Sequence, residues 1–444
     1  MARLGLQRAL SADWVDEVFE QHRRTQYTRE LLFSTVVDLM SLVALGLRPS
    51  LHAAAQKVRD LPVSLAALYD KVNHVEPSVV RALVRGSAER LAPVMAPLRQ
   101  GAAPWLPGYR VRVVDGNHLP ASEKRLRPLH GLRGAALPGH SLVVFDPDAG
   151  LVVDVLPCED GHASERGPWM ARLAAAEPGE LWLGDRNFCT RAALRLGHAR
   201  GSALLLREHG ANARPAPAGA RRRVGRVETG VVYEQPVTIP LDDEGDGGEV
   251  LRLRRVEIEL NAPTEDGDTT VRRLTTLPAD VTAKAVARLY RKRWTIEGLF
   301  ARLEAALTSE VRTLGYPRAA LLAFALAVVA YNVLSVIEAA VAAAHDLEAE
   351  GIEVSTYYVA DDVRAHYLGM LVAVPAAWWA AAFDAQSPAT LARTLRRLAA
   401  RVDPKTLGKH PRGPKASKPK GYAPRAAVEQ HVATARVLRG RPIS

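Results

Sequence analysis

Three acidic residues have the types and surroundings that metal-assisted phosphoryl chemistry requires. Asp115 and Asp185 each follow a short apolar run, YRVRVV and LWLG, and Glu297 lies within the cationic stretch YRKRWTIEGLF. Carboxylate oxygens are the ligands that Mg²⁺ prefers, and three carboxylates can hold two ions. Two metals about 3.5–4 Å apart activate an attacking water or 3′-hydroxyl and stabilise the leaving oxygen of an in-line displacement. The sequence therefore predicts a two-metal site, provided that the three acids meet in space.

Basic residues must flank these acids, because bare carboxylates would repel a polyanion. The candidates are Lys124, Arg125, Arg186, Arg291, Lys292 and Arg293. Helical spacing places Arg293 and Glu297 on one face, so a weak ion pair on a solvated helix surface explains part of the pattern equally well. The formal net charge of +11 favours nucleic acid or an anionic membrane as the partner.

Composition narrows the class of protein. The 444 residues, 48% apolar and 24% charged, suit a globular chain of about two to four domains. Two cysteines exclude a disulfide framework and a cysteine-based zinc site. The N-terminus lacks the apolar core of a signal peptide. Residues 319–337 are apolar enough for a membrane span, but their alanine content and Asn332 favour a buried helix, so no membrane is expected.

Helices are predicted through residues 12–98, where apolar residues recur at helical spacing. Two short helices, SLHAAAQKV and SLAALYDKVNHV, each open with a serine suited to N-capping. Helices joined in this way resemble a helix-turn-helix, and an ordinary helical bundle fits equally well. After Pro107, valine-rich runs separated by turns predict strands, and HASERGPWMARLAAA predicts a helix among them. Strands mixed with helices indicate a layered α/β core.

The predicted secondary structure changes again in the second half of the chain. Residues 198–280 are rich in strand-forming residues, and we expect them to form a β-rich insertion outside the core sheet. The helix that carries Glu297 is expected to begin near Val281, with Asp280 as its cap. The segment 404–425 is rich in Lys, Arg and Pro and has no acid, so it is predicted to be largely unfolded and suited to phosphate contacts.

Several other polar residues are predicted to make turns and helix caps instead of a metal site. They are Asp146 and Asp148 in a hairpin turn, and Glu159, Asp160 and His162 before a helix. Cys189 is expected to pack in the core. His118, three residues after Asp115, fits either a contact to phosphate or water near the metals or a purely structural role.

The acids and their neighbours together resemble a known family. The motifs DG at 115–116, GDRNF at 184–188 and Y-x-x-R-x-x-x-E at 290–297 resemble the Asp-Asp-Glu signature of insertion-sequence transposases, specifically the IS-four family. The resemblance covers the whole chain and implies an α/β fold with a ribonuclease-H-like core, a mixed sheet flanked by helices. The implied divisions are a helical N-terminal DNA-binding domain at 1–100, core parts at 105–197 and 281–345, the β-rich insertion at 198–280, and a helical C-terminal region with a basic disordered tail at 346–444.

For this chain the resemblance implies metal-dependent strand cleavage and strand transfer at the ends of an insertion sequence, with Asp115, Asp185 and Glu297 as catalytic metal ligands. The implied cofactor is a pair of Mg²⁺ ions, with Mn²⁺ as a substitute. The implied partner is double-stranded DNA, both terminal inverted repeats and target, bound by a homodimer that forms on DNA. Tyr290 joins the DNA-binding residues, and a bacterial, cytoplasmic and nucleoid-associated protein is expected.

Two departures from the family pattern leave alternatives open. The signature continues with a lysine seven residues after the glutamate, where this chain has Glu304, so either Arg302 or another basic residue takes over the DNA contact or end binding is impaired. Relatives that form hairpin ends stack a flipped base on an aromatic residue of the insertion. Residues 198–280 contain no Trp or Phe and a single tyrosine, Tyr233, so the sequence does not lead us to predict a hairpin intermediate. A metal-dependent nuclease on the same fold, or a catalytically inactive DNA-binding protein derived from a transposase, are the alternative functions.

Overall fold

The computed structural model describes residues 1–58, 61–119, 122, 126–132, 134–241, 249–264, 267–309, 313–347, 350–383, 386–410 and 431–440. The expected DNA contacts Lys124 and Arg125 lie outside these residues, as do positions 411–425 of the expected basic tail.

Helices occupy the N-terminal part of the chain, as predicted. They are α1 (Ala2–Ala9), α2 (Ala12–His22), α3 (Phe33–Ala44), α4 (Leu51–Ala55), α5 (Leu65–Asn73) and α6 (Pro77–Leu98). Ser50 and Ser64 accept hydrogen bonds from the backbone amides of Ala53 and Ala67, so both predicted serine caps are confirmed.

Strands and helices alternate over the next hundred residues. They are β1 (Arg110–His118), β2 (Ala135–Leu137), β3 (His140–Asp146), β4 (Leu151–Cys158), α7 (Arg166–Ala174), β5 (Glu180–Gly184), α8 (Arg191–Ala199) and β6 (Ala203–Arg207). β1 pairs antiparallel with β3 and parallel with β5, β3 pairs antiparallel with β4, and β5 pairs parallel with β6. The resulting order in this mixed sheet is β4-β3-β1-β5-β6.

The segment 198–280 is β-rich, but the expectation that it lies outside the core sheet is wrong. Its later strands are β7 (Ala216–Pro217), β8 (Arg222–Val227), β9 (Gly230–Pro240), β10 (Val250–Leu260) and β11 (Thr270–Thr275). β11 pairs antiparallel with β6, and the same sheet continues through β10 and β9 to β7, with β8 also on β9. The leucines at 204–206 of β6 are fully buried, so the second backbone edge of β6 needs a partner, which β11 supplies.

The rest of the chain is mainly helical. Its elements are α9 (Ala283–Arg291), α10 (Thr295–Ala306), α11 (Pro317–Ala344), α12 (Thr356–Ala373), α13 (Ala376–Phe383), α14 (Pro388–Ala399), β12 (His431–Ala433) and α15 (Thr434–Leu438). Thr282, and not Asp280, caps α9 by accepting from the backbone amide of Ala285. The start of the tail expected to be unfolded forms a 3₁₀ turn at 404–407 with Pro404 and Leu407 buried, so that part of the prediction is wrong.

α11 is the apolar helix predicted from residues 319–337. Among the described helices, α11 alone is long and apolar enough by itself to cross a membrane. The helices α12 and α13 reach the same length and hydropathy only when they are counted together as one bent span. Its most apolar window is 94% buried inside the protein. Asn332 donates to the carbonyl of Val152 and accepts from the amide of the same residue, both at 2.8 Å. This side chain therefore satisfies the backbone of β4, which is an edge strand of the large sheet.

Helices cover both faces of the sheet around β1 and β5. Val113 of β1 belongs to the core that includes α6 and α11, whereas Val114 belongs to a second core with Trp169 of α7 and Leu194 of α8. The chain is thus an α/β protein with a mixed sheet flanked by helices, as predicted.

Candidate active site

Asp115 and Asp185 lie on neighbouring parallel segments at the same end of the sheet. Val113 of β1 is the register partner of Leu183 of β5, and both side chains join the same core. Because side chains alternate along a strand, Asp115, two residues further on, lies on that same face. Asp185 follows β5 closely enough for its charge to raise the pKa of Asp115. Asp185 comes directly after β5, as predicted, but Asp115 does not end its strand. Antiparallel pairing with β3 prolongs β1 to His118.

The segment that bears Glu297 packs against this face. Tyr290, near the end of α9, is 6% exposed, and its hydroxyl donates to the backbone carbonyl of Gly184 at 3.2 Å. This hydrogen bond fastens α9 to the last residue of β5, directly before Asp185. The expected DNA contact of Tyr290 therefore does not lie on the surface of this structure, because the tyrosine side chain is used inside the protein.

Arg293 joins two of the three acids. Its guanidinium donates to Oδ2 of Asp115 at 2.9 Å and to Oε1 of Glu297 at 2.7 Å, and the residue is only 7% exposed. The expected helix-surface pair between Arg293 and Glu297 is present, with the Glu297 side chain 55% exposed, and a second contact ties Arg293 to the largely buried Asp115. Arg293 was expected to contact DNA, and the structure instead places it in the interior between carboxylates.

Burial at this site shifts the pKa values of Asp115 and Tyr290. Burial raises the pKa of Asp115 to about 6, while Arg293 opposes the rise and the charges of Asp185 and Glu297 add to it. Burial also raises the pKa of Tyr290 to about 12, so the phenol keeps its proton and remains a donor to Gly184.

The three carboxylates have the donor atoms that Mg²⁺ prefers, but they are not arranged as a metal cage. Among the described residues, no group of three or more His, Cys, Asp or Glu side chains is placed to hold an ion. The single guanidinium of Arg293 binds one oxygen each of Asp115 and Glu297, and it would repel a further cation placed between them. An ion bound between Asp115 and Glu297 would therefore compete with the Arg293 guanidinium for these oxygens.

The other expected DNA contacts differ in exposure. Arg186, which follows Asp185, is exposed, as are Arg291 and Lys292, which precede Arg293; Arg291 pairs with Glu228. Arg302 is only partly exposed and donates to the hydroxyl of Tyr331 in α11 at 3.3 Å, so it points toward the helical core instead of replacing the family lysine at the surface.

Glu304 lies on the same side of α10 as Glu297. The two carboxylates line one cavity of about 360 Å³, together with Asn117 and Phe300. Where the family signature has a lysine, this chain thus has an acidic residue, which would repel a phosphate that entered the cavity beside Glu297.

The remaining polar candidates have structural roles. Asp146 accepts from the amide of Ala149 in the turn between β3 and β4, as predicted. The capping role expected of Glu159 and Asp160 is wrong, because α7 begins only at 166 and both acids form ion pairs with arginines. Those arginines are Arg318, Arg436 and Arg439. Cys189 is fully buried, which raises the pKa of its thiol to about 12 and confirms its place in the core.

Sequence reasoning missed Glu165. Its carboxylate lies against Gly116, directly after Asp115, and 3.8 Å from Nδ1 of His118. An acid just before a helix is typical of a cap, so the sequence contains no signal that this side chain turns toward the sheet instead.

The chain was compared with known proteins. No curated protein matches it. A family model described as the transposase DDE domain matches residues 106–333, just over half of the 444 residues. The matched stretch begins just before β1 and contains Asp115, Asp185, Arg293 and Glu297. The chain belongs to the transposase DDE domain family.

Proposed function

We propose that the protein is an insertion-sequence transposase of the IS-four type, which cleaves DNA at the ends of its element and joins them to target DNA. Asp115, Asp185 and Glu297 are its catalytic acids. The observation that carries the proposal is the link through Arg293, which brings Glu297 and Asp115 to the end of the sheet where Asp185 follows β5. Three motifs that are far apart in the sequence thereby lie at one end of the central strands β1 and β5.

The strand order supports a ribonuclease-H-like core. Counting only β1, β3, β4, β5 and β6, the order is third, second, first, fourth, fifth, and the second strand alone is antiparallel to its neighbours on both sides. Acids on the central strand and directly after the fourth lie where open α/β sheets place ligands.

The side chains suggest how the site works. Asp115, Asp185 and Glu297 would hold two Mg²⁺ or Mn²⁺ ions once Arg293 has released its carboxylates. Such ions activate a water or 3′-hydroxyl and stabilise the leaving oxygen. Arg293 can exchange its carboxylate partners for a DNA phosphate, which its planar guanidinium binds in the same forked geometry. Tyr290 meanwhile keeps α9 on β5, so Glu297 stays within reach.

The proposed partner is double-stranded DNA, the terminal inverted repeats and the target, bound by a homodimer in the bacterial nucleoid. Exposed Arg186, Arg291 and Lys292 would neutralise backbone phosphates near the acids. The N-terminal helices at 1–100 are the proposed end-binding domain, and the net charge of +11 supports contact with a polyanion.

The test uses the full chain and a duplex that carries the inverted repeats flanking its gene. Asp115→Asn, Asp185→Asn and Glu297→Gln should each lower cleavage by at least about 10²–10³-fold while DNA binding survives. Glu177→Gln, an exposed acid paired with Arg110, is the matched control and should cleave at the parental rate.

Each other outcome points to one alternative. Nicking without regard to the repeats would indicate a nuclease, and a shifted but uncut duplex would indicate a DNA-binding protein without catalysis. Parental cleavage by Glu297→Gln would show that Glu297 is only a helix-surface acid.

A further inference from the structure

Glu165 lies behind the two aspartates. Side chains of β1 alternate, so Gly116, which Glu165 contacts, faces α7, whereas Asp115 faces Arg293 on the opposite side of the sheet. Glu165 directly precedes α7, yet its side chain does not cap that helix. The carboxylate turns toward the sheet, and the side chain is only 15% exposed.

One set of contacts reaches the segment of Asp185. Oε2 of Glu165 accepts from the side-chain amide of Asn187 at 3.0 Å, and the next residue, Arg166, donates to the backbone carbonyl of Asn187 at 3.0 Å. The backbone amide of Asn187 in turn donates to Oδ1 of Asp185 at 2.8 Å. Glu165 and Arg166 therefore bind the side-chain amide and the backbone carbonyl of Asn187, whose backbone amide orients the Asp185 carboxylate.

A second set of contacts reaches the segment of Asp115. A Cβ atom placed on Gly116 would lie 1.7 Å from Oε1 of Glu165, so only glycine admits the carboxylate at this point. The amide of Gly116 donates to Oδ1 of Asp115 at 3.0 Å. Oε1 also lies 3.8 Å from Nδ1 of His118, two residues further along β1. One carboxylate thus touches both segments that carry the aspartates.

We propose that Glu165 is a positioning residue that sets the separation of Asp115 and Asp185 by holding Gly116 and Asn187 from behind. The proposal rests on the transposase function proposed above, and it deepens that function. Glu165 acts through its neighbours and does not touch the reacting atoms. Partners that orient catalytic ligands typically change activity by about 10–100-fold when they are removed, because small displacements of the reacting groups are costly.

Hydrogen–deuterium exchange of the full chain tests the structural half of this proposal without any cleavage. Glu165→Ala should speed exchange several-fold in peptides covering both 112–118 and 184–190. Glu165→Gln keeps an acceptor for Asn187 and should exchange like the parent. Glu177→Gln, an exposed acid beyond the other end of α7, is the matched control and should change neither peptide. Parental exchange in either peptide of Glu165→Ala would overturn the proposal.

Kinetics on the element-end duplex test the functional half. Glu165→Ala should lower kcat by about 10–100-fold and leave KM for DNA within about twofold, and Glu165→Gln should restore most of the rate. A parental kcat in Glu165→Ala, or a Glu165→Gln variant as impaired as Glu165→Ala, would overturn it, since the second result would assign the effect to charge. If the parent does not cleave, the transposase function fails, while the exchange result still decides whether Glu165 holds the two segments.

A milder variant keeps the test decisive if Glu165→Ala does not fold. Asn187→Ala removes only the contact on the Asp185 side. It should speed exchange in 184–190 and leave 112–118 unchanged. Unchanged exchange in 184–190 would overturn the proposal.

Discussion

Arg293 and Asp115, 178 residues apart in the chain, form an ion pair of 2.9 Å in which both side chains are largely buried. The pair fastens the segment that bears Glu297 to the central strand of the sheet. It also offsets part of the cost of burying the Asp115 carboxylate, because an adjacent positive charge favours the ionised form. In the resting arrangement the single positive charge of Arg293 offsets only part of the negative charge of the three acids, and phosphate or metal must compete with a guanidinium that is already bound.

Asp115→Asn should flatten the pH dependence of stability. The fold raises the pKa of Asp115 from the ordinary 3.8 to about 6. Between these values the native state binds more protons than the unfolded state, so stability falls as pH rises through this window. Urea unfolding should show the parent losing about 1 kcal/mol more than the variant between pH 5 and pH 8. Equal losses would mean that Asp115 titrates normally in the folded protein, and Asp361→Asn, at an exposed helix position, controls for any general loss of charge.

Tyr290→Phe should weaken the fold and leave DNA affinity unchanged. The substitution removes the donor to the Gly184 carbonyl inside the protein, a loss of about 1–2 kcal/mol in the free energy of unfolding. Thermal or urea unfolding beside a binding titration checks both halves, with Tyr316→Phe at a 39% exposed tyrosine as control. Weaker DNA binding at parental stability would instead return Tyr290 to the DNA surface.

Replacement of the exposed Arg186 or Arg291 should change the salt dependence of DNA binding, whereas replacement of the partly exposed Arg302 should not. Arg186→Ala and Arg291→Ala each remove an exposed positive charge, so each should reduce the slope of log affinity against log salt by about 0.9. Arg302→Ala should keep the parental slope and lower the melting temperature, because Arg302 contacts Tyr331. Fluorescence anisotropy across a salt series distinguishes them, and a reduced slope in Arg302→Ala would show that this arginine turns outward to DNA.

Glu304→Lys should tighten DNA binding. Glu304 lines the same cavity as Glu297, so a lysine there removes a repulsive charge and adds about one phosphate contact, which steepens the salt slope by about 0.9. Glu304→Gln, which only removes the charge, should fall between the parent and the lysine variant. If all three bind alike at low salt, DNA does not approach this side of α10.

Most of the correct predictions came from local patterns in the sequence. The serine caps, the strands around Asp115 and the buried helix at 317–344 depend on neighbouring residues, which a single sequence displays. Helical spacing correctly put Arg293 and Glu297 on one face. It could not tell whether that face meets DNA or the protein, because this depends on residues far away in the chain.

Long-range pairing was the main source of error. The strands of 203–275 alternate as strands should, but alternation does not name the neighbour of a strand, so their membership in the core sheet was missed. Glu165 was overlooked for a related reason: its partners, Gly116 on β1 and Asn187 in the turn after β5, are brought beside the start of α7 only by the fold.

The two edges of the ten-stranded sheet formed by the described residues affect whether copies of the protein can pair edge to edge at high concentration. At one end, the Asn332 amide of α11 occupies backbone groups of β4. At the other, β7 is two residues long and ends in Pro217, and β8 beside it is rich in arginine. A proline cannot donate to an incoming strand, and like charges repel one. These features hinder the addition of a further strand at Val152 and at β7, which disfavours edge-to-edge pairing between copies of the protein.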